Sequence, residues 1–194
     1  SAGDINSDGY DDLIVGEAYF HPHGNPLDSN YVVFGKAGGF AATLELSSLD
    51  GSNGFRLDGE NPHDYVGTVS SAGDINGDGY QDISVGARER SSQAGELYSY
   101  LGSASGLALA VATTKTGTTG ERVGSSLACA DVNNDGLADL VAGARTSANG
   151  TVYVFHGNAS GFNTVAAATI QGEASGDGLG EGIFAGDYNN DGST

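Results

Sequence analysis

Apolar residues along this chain come in short runs closed by glycine, and the runs recur. Leu13-Ile14-Val15-Gly16, Ile83-Ser84-Val85-Gly86 and Leu140-Val141-Ala142-Gly143 are the clearest. Runs this short, ended by Gly, suit buried strands better than helices. A polar connector follows each, such as 21–30 or 88–94. A second stretch then begins with Tyr and ends four residues later with Gly: Tyr31-Val32-Val33-Phe34-Gly35, Tyr98-Ser99-Tyr100-Leu101-Gly102 and Tyr153-Val154-Phe155-His156-Gly157. Beyond it, Gly39-Phe40, Gly106-Leu107 and Gly161-Phe162 hold matching places, and a more variable strand leads to Gly59, Gly117 and Gly172. Ahead of the first run lie small and apolar residues, as in Thr68-Val69-Ser70-Ser71-Ala72, introduced by Val66-Gly67, Val123-Gly124 or Leu179-Gly180. Each unit thus reads as four short strands of roughly ten-residue pitch. Four-stranded units repeated along a chain predict an all-β fold of antiparallel β-propeller blades.

Between the first two strands of each unit sits a polar nonapeptide. In Asp74-Ile75-Asn76-Gly77-Asp78-Gly79-Tyr80-Gln81-Asp82, oxygen-bearing side chains stand at positions one, three, five and nine, with glycine at six. Asp4, Asn6, Asp8, Gly9 and Asp12 form a second copy, and Asp131, Asn133, Asp135, Gly136 and Asp139 a third. Asp187, Asn189, Asp191 and Gly192 begin a fourth, and the sequence given ends at Thr194, one residue before its ninth position. A hard cation such as Ca²⁺ takes about six to eight oxygens, which alternate Asp and Asn side chains plus a main-chain carbonyl supply. Tyr10, Tyr80 and Leu137, at position seven, are placed to offer that carbonyl. The glycine permits the sharp turn. An EF-hand shares this spacing but needs Glu at position twelve between two helices; here Val15, Val85 and Ala142 stand there. Mg²⁺ fits less well, because it keeps its waters and prefers octahedral sites. Ca²⁺ is therefore the expected ion, with three complete sites and a fourth truncated one. Clustered acids in a tight turn repel one another, and a cation would turn that repulsion into a clamp between two strands.

Aligned on their first Asp, the copies are spaced by 70, 57 and 56 residues. The longer first spacing is a loop-like insertion around 47–53. The chain is expected to be a single propeller region over 1–194, with repeats at roughly 1–59, 60–117, 118–172 and a partial 173–194. Repeat one lacks its first strand, and repeat four is expected to supply a first strand over 180–186 and most of a loop. About three blades are fewer than the roughly four to eight of a closed propeller. A piece of a longer propeller is the favoured reading; self-assembly of several copies to complete the ring is the other.

Composition narrows the function. The formal charge is −18, with only seven Lys and Arg, which argues against nucleic acid, since phosphate contacts need cations. Eleven of the 25 acidic residues lie at loop ligand positions; four divalent ions there would bring −18 to −10. One cysteine excludes an intrachain disulfide, and no apolar run is long enough for membrane insertion.

Other candidate chemistry is weaker. His21-Pro22-His23 lies in a polar connector without a clear third ligand, and His63 stands in another, so surface positions are expected. Cys129 aligns with Ala72 and Ala185 and reads as a small packed residue. Asp64, Glu121 and Asp177 recur once per repeat ten residues before each loop, as structural residues do and catalytic carboxylates do not. Tyr31, Tyr98 and Tyr153 recur too, so packing is expected over a carbohydrate platform. Asn149-Gly150-Thr151 and Asn158-Ala159-Ser160 match the glycosylation pattern.

The segment Val66-Gly67…Ala72-Gly73-Asp74-Ile75-Asn76-Gly77-Asp78-Gly79…Asp82…Val85-Gly86-Ala87…Tyr98…Gly102 resembles the FG-GAP repeat. That repeat builds the calcium-bearing propeller of integrin α subunits and of many large secreted or surface bacterial proteins. Residues 1–87, with Gly54-Phe55-Arg56-Leu57-Asp58-Gly59, resemble the bacterial kind. Departures are the Phe of Phe-Gly, here Val66, Val123 and Leu179, and the proline of Gly-Ala-Pro, here Arg88 and Arg145; repeat one reads Gly16-Glu17-Ala18. The resemblance implies a non-enzymatic, extracellular or cell-surface adhesion or interaction module with a protein or glycan ligand. The alternatives are a lectin-like propeller or a part of a secreted hydrolase.

Overall fold

The computed structural model describes residues 3–16, 29–58, 73–104, 106–108, 111–145, 149–186 and 188, and the backbone alone of 66–70. They form three antiparallel blade sheets, in which strands neighbour one another in chain order, and a separate two-stranded ribbon. The first blade comprises β1 (Leu13–Gly16), β2 (Ser29–Val33) and β3 (Gly54–Asp58). The second has β4 (Val66–Ser70), β5 (Ile83–Ala87), β6 (Glu96–Tyr100) and β7 (Thr113–Thr116). The third has β8 (Val123–Ala130), β9 (Asp139–Ala144) and β10 (Thr151–Phe155), a small ribbon of β11 (Gly157–Asn158) with β12 (Gly161–Phe162), and β13 (Ala168–Gln171) as its outer strand. The fold is nearly all-β, a partial propeller. The variable outer strands end just before Gly59, Gly117 and Gly172, as expected. The tyrosine-led strands start two residues earlier than their tyrosine and stop before the closing glycine. The insertion in repeat one holds a single 3-10 turn, Leu46–Ser48.

The hydrophobic cores lie between blades rather than inside them. Ile5, Val32 and Leu57 of the first unit pack with Ile83, Val85 and Tyr98 of the second. Ile75 and Leu97 of the second pack with Val123, Leu127, Leu140 and Phe155 of the third. A blade is thus apolar on both faces, which is why every residue of β5 and of β9 is buried. The closely similar β1 is not: Leu13 is 40% and Val15 45% exposed. Among the described residues no inner strand and no preceding blade covers it.

Blades approach most closely through glycine. A Cβ on Gly86 of β5 would stand 2.5 Å from the Gly124 carbonyl oxygen of β8, and one on Gly143 of β9 2.1 Å from that of Gly180. Gly124 and Gly180 also have φ of +87° and +85°, a region that L side chains enter only at a cost.

The expected first strand of repeat four is not formed. Leu179 makes one isolated parallel bridge to Gly150, and 181–186 continue without regular strand structure. Leu179 and Ile183 lean on the Ala128, Val141 and Val152 cluster, but Phe184 is 87% exposed. In the two complete blades the first strand hydrogen-bonds to the second strand of its own sheet. Among the described residues 180–186 has no such neighbour.

Candidate metal centre: the acidic hairpin loops

Each complete loop joins, or leads into, the inner hairpin of a blade, and all three are built alike. The first Asp folds the chain around itself. Asp4 accepts the N–H groups of Asp8 (2.9 Å) and Gly9 (2.8 Å). Asp74 accepts those of Gly77 (2.7 Å), Asp78 (3.0 Å) and Gly79 (2.8 Å), and Asp131 those of Asp135 (3.1 Å) and Gly136 (2.9 Å). The third-position amide bridges to position five. Asn6, Asn76 and Asn133 each accept its N–H through Oδ1 and donate from Nδ2 to its carboxylate. Position five in turn accepts the N–H of Tyr10, Tyr80 or Leu137 at 2.9–3.0 Å. Such local side-chain-to-backbone bonds are what Asp and Asn offer a turn. Positions four and six both sit at positive φ: Ser7 58°, Gly77 78° and Asn134 60°, then Gly9 90°, Gly79 90° and Gly136 89°.

The ninth position differs from the rest. Asp12, Asp82 and Asp139 are fully buried. One carboxylate oxygen accepts the N–H of Ile5 (2.8 Å), Ile75 (2.8 Å) or Val132 (3.1 Å), at the loop's second position. The other accepts the N–H of Gly35 (2.8 Å), Gly102 (2.8 Å) or Gly157 (3.0 Å), just past the third strand. This aspartate therefore ties its loop to the end of the neighbouring strand, the one paired with the strand that the loop leads into. The glycine is required by proximity. A Cβ at Gly35, Gly102 or Gly157 would stand 2.3, 2.3 or 2.5 Å from the carbonyl oxygen at position eight.

Burial pushes the Asp82 carboxyl up to about 6, opposed by the N–H bonds from Gly102, Ile75 and Asn76 and reinforced by the Asp78 charge. Asp12 is raised for the same leading reason, with Asp8 and Asp4 adding repulsion. Asp135, exposed, lies below the usual range because the Leu137 N–H and the Asn133 side chain favour its charged form.

These donors suit a hard cation: they are all oxygen, and acids at positions five and nine already repel one another in the first two loops. Each carboxylate retains about two lone pairs beyond its N–H bonds. The groups that would hold the ion are the side chains of Asp4, Asn6, Asp8 and Asp12, of Asp74, Asn76, Asp78 and Asp82, and of Asp131, Asn133, Asp135 and Asp139, with main-chain carbonyls at Tyr10, Tyr80 and Leu137. Among the described residues no three Asp, Glu, His or Cys side chains make a preformed cluster, so amide and carbonyl oxygens would have to complete the shell. Asp187, Asn189 and Asp191 lie outside the described residues, as do His21, His23, His63 and Asp64.

Two features of the site went unread in the sequence. By sequence Gly35, Gly102 and Gly157 read only as strand ends, whereas in the structure their N–H groups are partners of the ninth aspartate. The second-position residue is an anchor: Ile5 and Ile75 are fully buried in the inter-blade cores, whereas Val132 is 42% exposed. The available signal was an apolar side chain at a fixed place in a polar loop. Of the recurrent acids before each loop, the two described are turn residues: Glu121 accepts the Thr118 N–H and hydroxyl, and Asp177 accepts the Ala174 N–H at 2.7 Å. Cys129 packs against the core between the second and third blades and lies 3.9 Å from the Ser84 hydroxyl.

The sequence matches the FG-GAP-like repeat over residues 74–142 and 131–194, and the FG-GAP repeat over 1–33. The chain belongs to the FG-GAP repeat family. Among its relatives, phosphatidylinositol-glycan-specific phospholipase D of Bos taurus is 33% identical over 150 residues, covering 74% of this chain and 18% of that protein. Integrin alpha-6 of Gallus gallus is 32% identical over 108 residues (53% and 10%), and integrin alpha-3 of Mus musculus 34% over 104 (54% and 9%). The chain thus spans less than a fifth of the length of these relatives. The exotype rhamnogalacturonan lyase YesX shares the fold, at a TM-score of 0.58 and 12% identity, over all of this chain and 37% of that one. FG-GAP relatives and fold neighbours therefore include both integrins and proteins named as enzymes. Among the described residues no helix is long and apolar enough to cross a membrane.

Proposed function

We propose that this FG-GAP chain is a calcium-stabilised interaction module of an extracellular or cell-surface protein, mediating adhesion or ligand binding. The observation that carries the reading is the threefold recurrence of one loop. In each copy the ninth aspartate staples two strands, while the oxygens at positions one, three and five, each already accepting a hydrogen bond, retain lone pairs for a cation. Calcium would supply positive charge among mutually repelling carboxylates, and so hold the inner hairpin in register. Extracellular calcium, at millimolar levels, fills even weak sites of this type. Rigid hairpins at one end of the blades would let the connectors at the other end, 88–95 and 117–122, present a binding surface. The integrin relatives support adhesion. The phospholipase D relative supports a second arrangement, in which such a module accompanies a catalytic domain; acids that recur once per repeat favour a non-catalytic role for this portion.

Metal analysis of the chain together with calorimetric melting in calcium and in chelator tests the proposal. Bound calcium and a melting temperature lowered by many degrees in chelator are the expected results. Melting that is the same in both, with no metal retained, overturns it. Native mass measurement separates a single partial propeller from an assembly of several copies.

A further inference from the structure

The tyrosine of the third strand recurs in each of the three blades, but its surroundings do not. In the first blade, Tyr31 is half-buried beside an open hollow of about 260 Å³ that it lines with Arg56, Leu46 and Leu49. In the second, Tyr98 is buried, its hydroxyl donates to Glu96 at 2.5 Å, and the Arg90 guanidinium stands 5.9 Å from its ring centre. In the third, Tyr153 remains half-buried as a wall of an open cleft of about 290 Å³ between the second and third blades. Val123 and Phe155 form the apolar floor, and Lys115 and Glu121 stand at the polar side. Glu121 is held in place by the chain itself. It accepts the Tyr153 hydroxyl on one oxygen, and the Thr118 N–H (2.5 Å) and hydroxyl (2.9 Å) on the other. Burial alone would raise its carboxyl, but these bonds and the Lys115 charge outweigh it and keep it below the usual range. The cleft therefore combines an apolar floor, an aromatic wall, an ordered acceptor and a cationic donor, with no net charge.

We propose that this cleft is a saccharide subsite that takes one neutral pyranose ring. A pyranose has an apolar C–H face, which matches the floor and the tyrosine wall, and a rim of hydroxyls that both donate and accept, which matches Glu121 and Lys115. A uronate would set its charge against Glu121, and a wholly apolar ligand would strip water from both charged groups and offer no hydrogen bond in return. The same tyrosine is buried at Tyr98 and half-buried beside an open hollow at Tyr31 and Tyr153; only beside Tyr153 does the hollow combine an apolar floor with an ordered carboxylate and a lysine. The cleft contains no residue of the acidic loops, so this subsite stands or falls apart from the calcium reading.

Ligand-observed NMR and calorimetry of the full chain in saturating calcium test it. The probes are the methyl glycosides of glucose, galactose, mannose and rhamnose, with methyl galacturonide as the charged comparison. At least one neutral glycoside should bind saturably. Val165→Trp, at an 80% exposed rim position, and Lys115→Ala should each weaken that binding by about tenfold or more. Tyr98→Phe, in the second blade, should leave it unchanged. The proposal is overturned if no neutral glycoside saturates, if only the uronide binds, or if binding survives both substitutions.

Discussion

Asp82 illustrates what one residue does in this fold. It has no solvent exposure, yet three backbone N–H groups converge on it, from Ile75, Asn76 and Gly102. Its carboxyl is raised from 3.8 to about 6, chiefly by burial. In chelator, the folded chain then holds a proton that the unfolded chain has lost between those two values. Its stability should rise as pH falls through that window, and fall as pH climbs through about 6. A bound cation favours the carboxylate and should reverse that slope. Urea unfolding between these pH values, with and without calcium, measures both; Asp82→Asn should flatten the dependence. The partner glycine is as constrained. Gly102→Ala would put Cβ 2.3 Å from the Gln81 carbonyl oxygen and should destabilise by about 1–3 kcal/mol, as overpacking does. Gly182→Ala, with nothing within 4 Å, should be close to neutral in the same assay.

At the scale of the element, the loop is more than a ligand frame, because it is fastened from inside. Ile75 reaches from its second position into the core shared by the second and third blades. Ile75→Ala should cost about 2–5 kcal/mol, as buried large-to-small changes do. Val132→Ala, at the equivalent but exposed place, should change urea-unfolding stability far less. Neighbouring loops are also coupled. The Ala138 N–H of the third donates to the Asp74 carbonyl of the second at 2.9 Å, and a Cβ on Gly73 would stand 2.2 Å from the Ala138 Cβ. Disrupting the second loop by Asp78→Ala should therefore speed amide exchange in the third loop as well as its own. Protection lost in one loop alone would show that the contact transmits nothing.

For the whole molecule, charge and blade stacking act against each other. A formal charge of −18 on 194 residues repels itself, and much of it is gathered in the acidic loops. In chelator the melting temperature should therefore rise with added sodium chloride, through screening. In saturating calcium that rise should be much smaller, because the ions already neutralise the densest clusters. Equal salt dependence in both conditions would mean that the loops do not control the charge balance. Cohesion comes from cores between blades, so a blade's stability depends on its neighbour. β5 and β9 are buried throughout while β1, of nearly the same sequence, is exposed at Leu13 and Val15.

The sequence by itself determined the strand pattern, the repeat, the hairpin position of the acidic loops and the positions whose oxygens could face a cation. These are local properties: a run of Leu-Ile-Val-Gly, or an Asp-Asn-Asp-Gly spacing, restricts the backbone within a few residues of itself. Only the tertiary structure decided what each element meets. It paired Asp82 with Gly102, twenty residues away, sent Ile75 into the next blade's core, left 180–186 without a sheet partner among the described residues, and opened the cleft beside Tyr153 while closing it over Tyr98. Those outcomes depend on strand register and on the blade alongside, and no local pattern encodes which neighbour will be there.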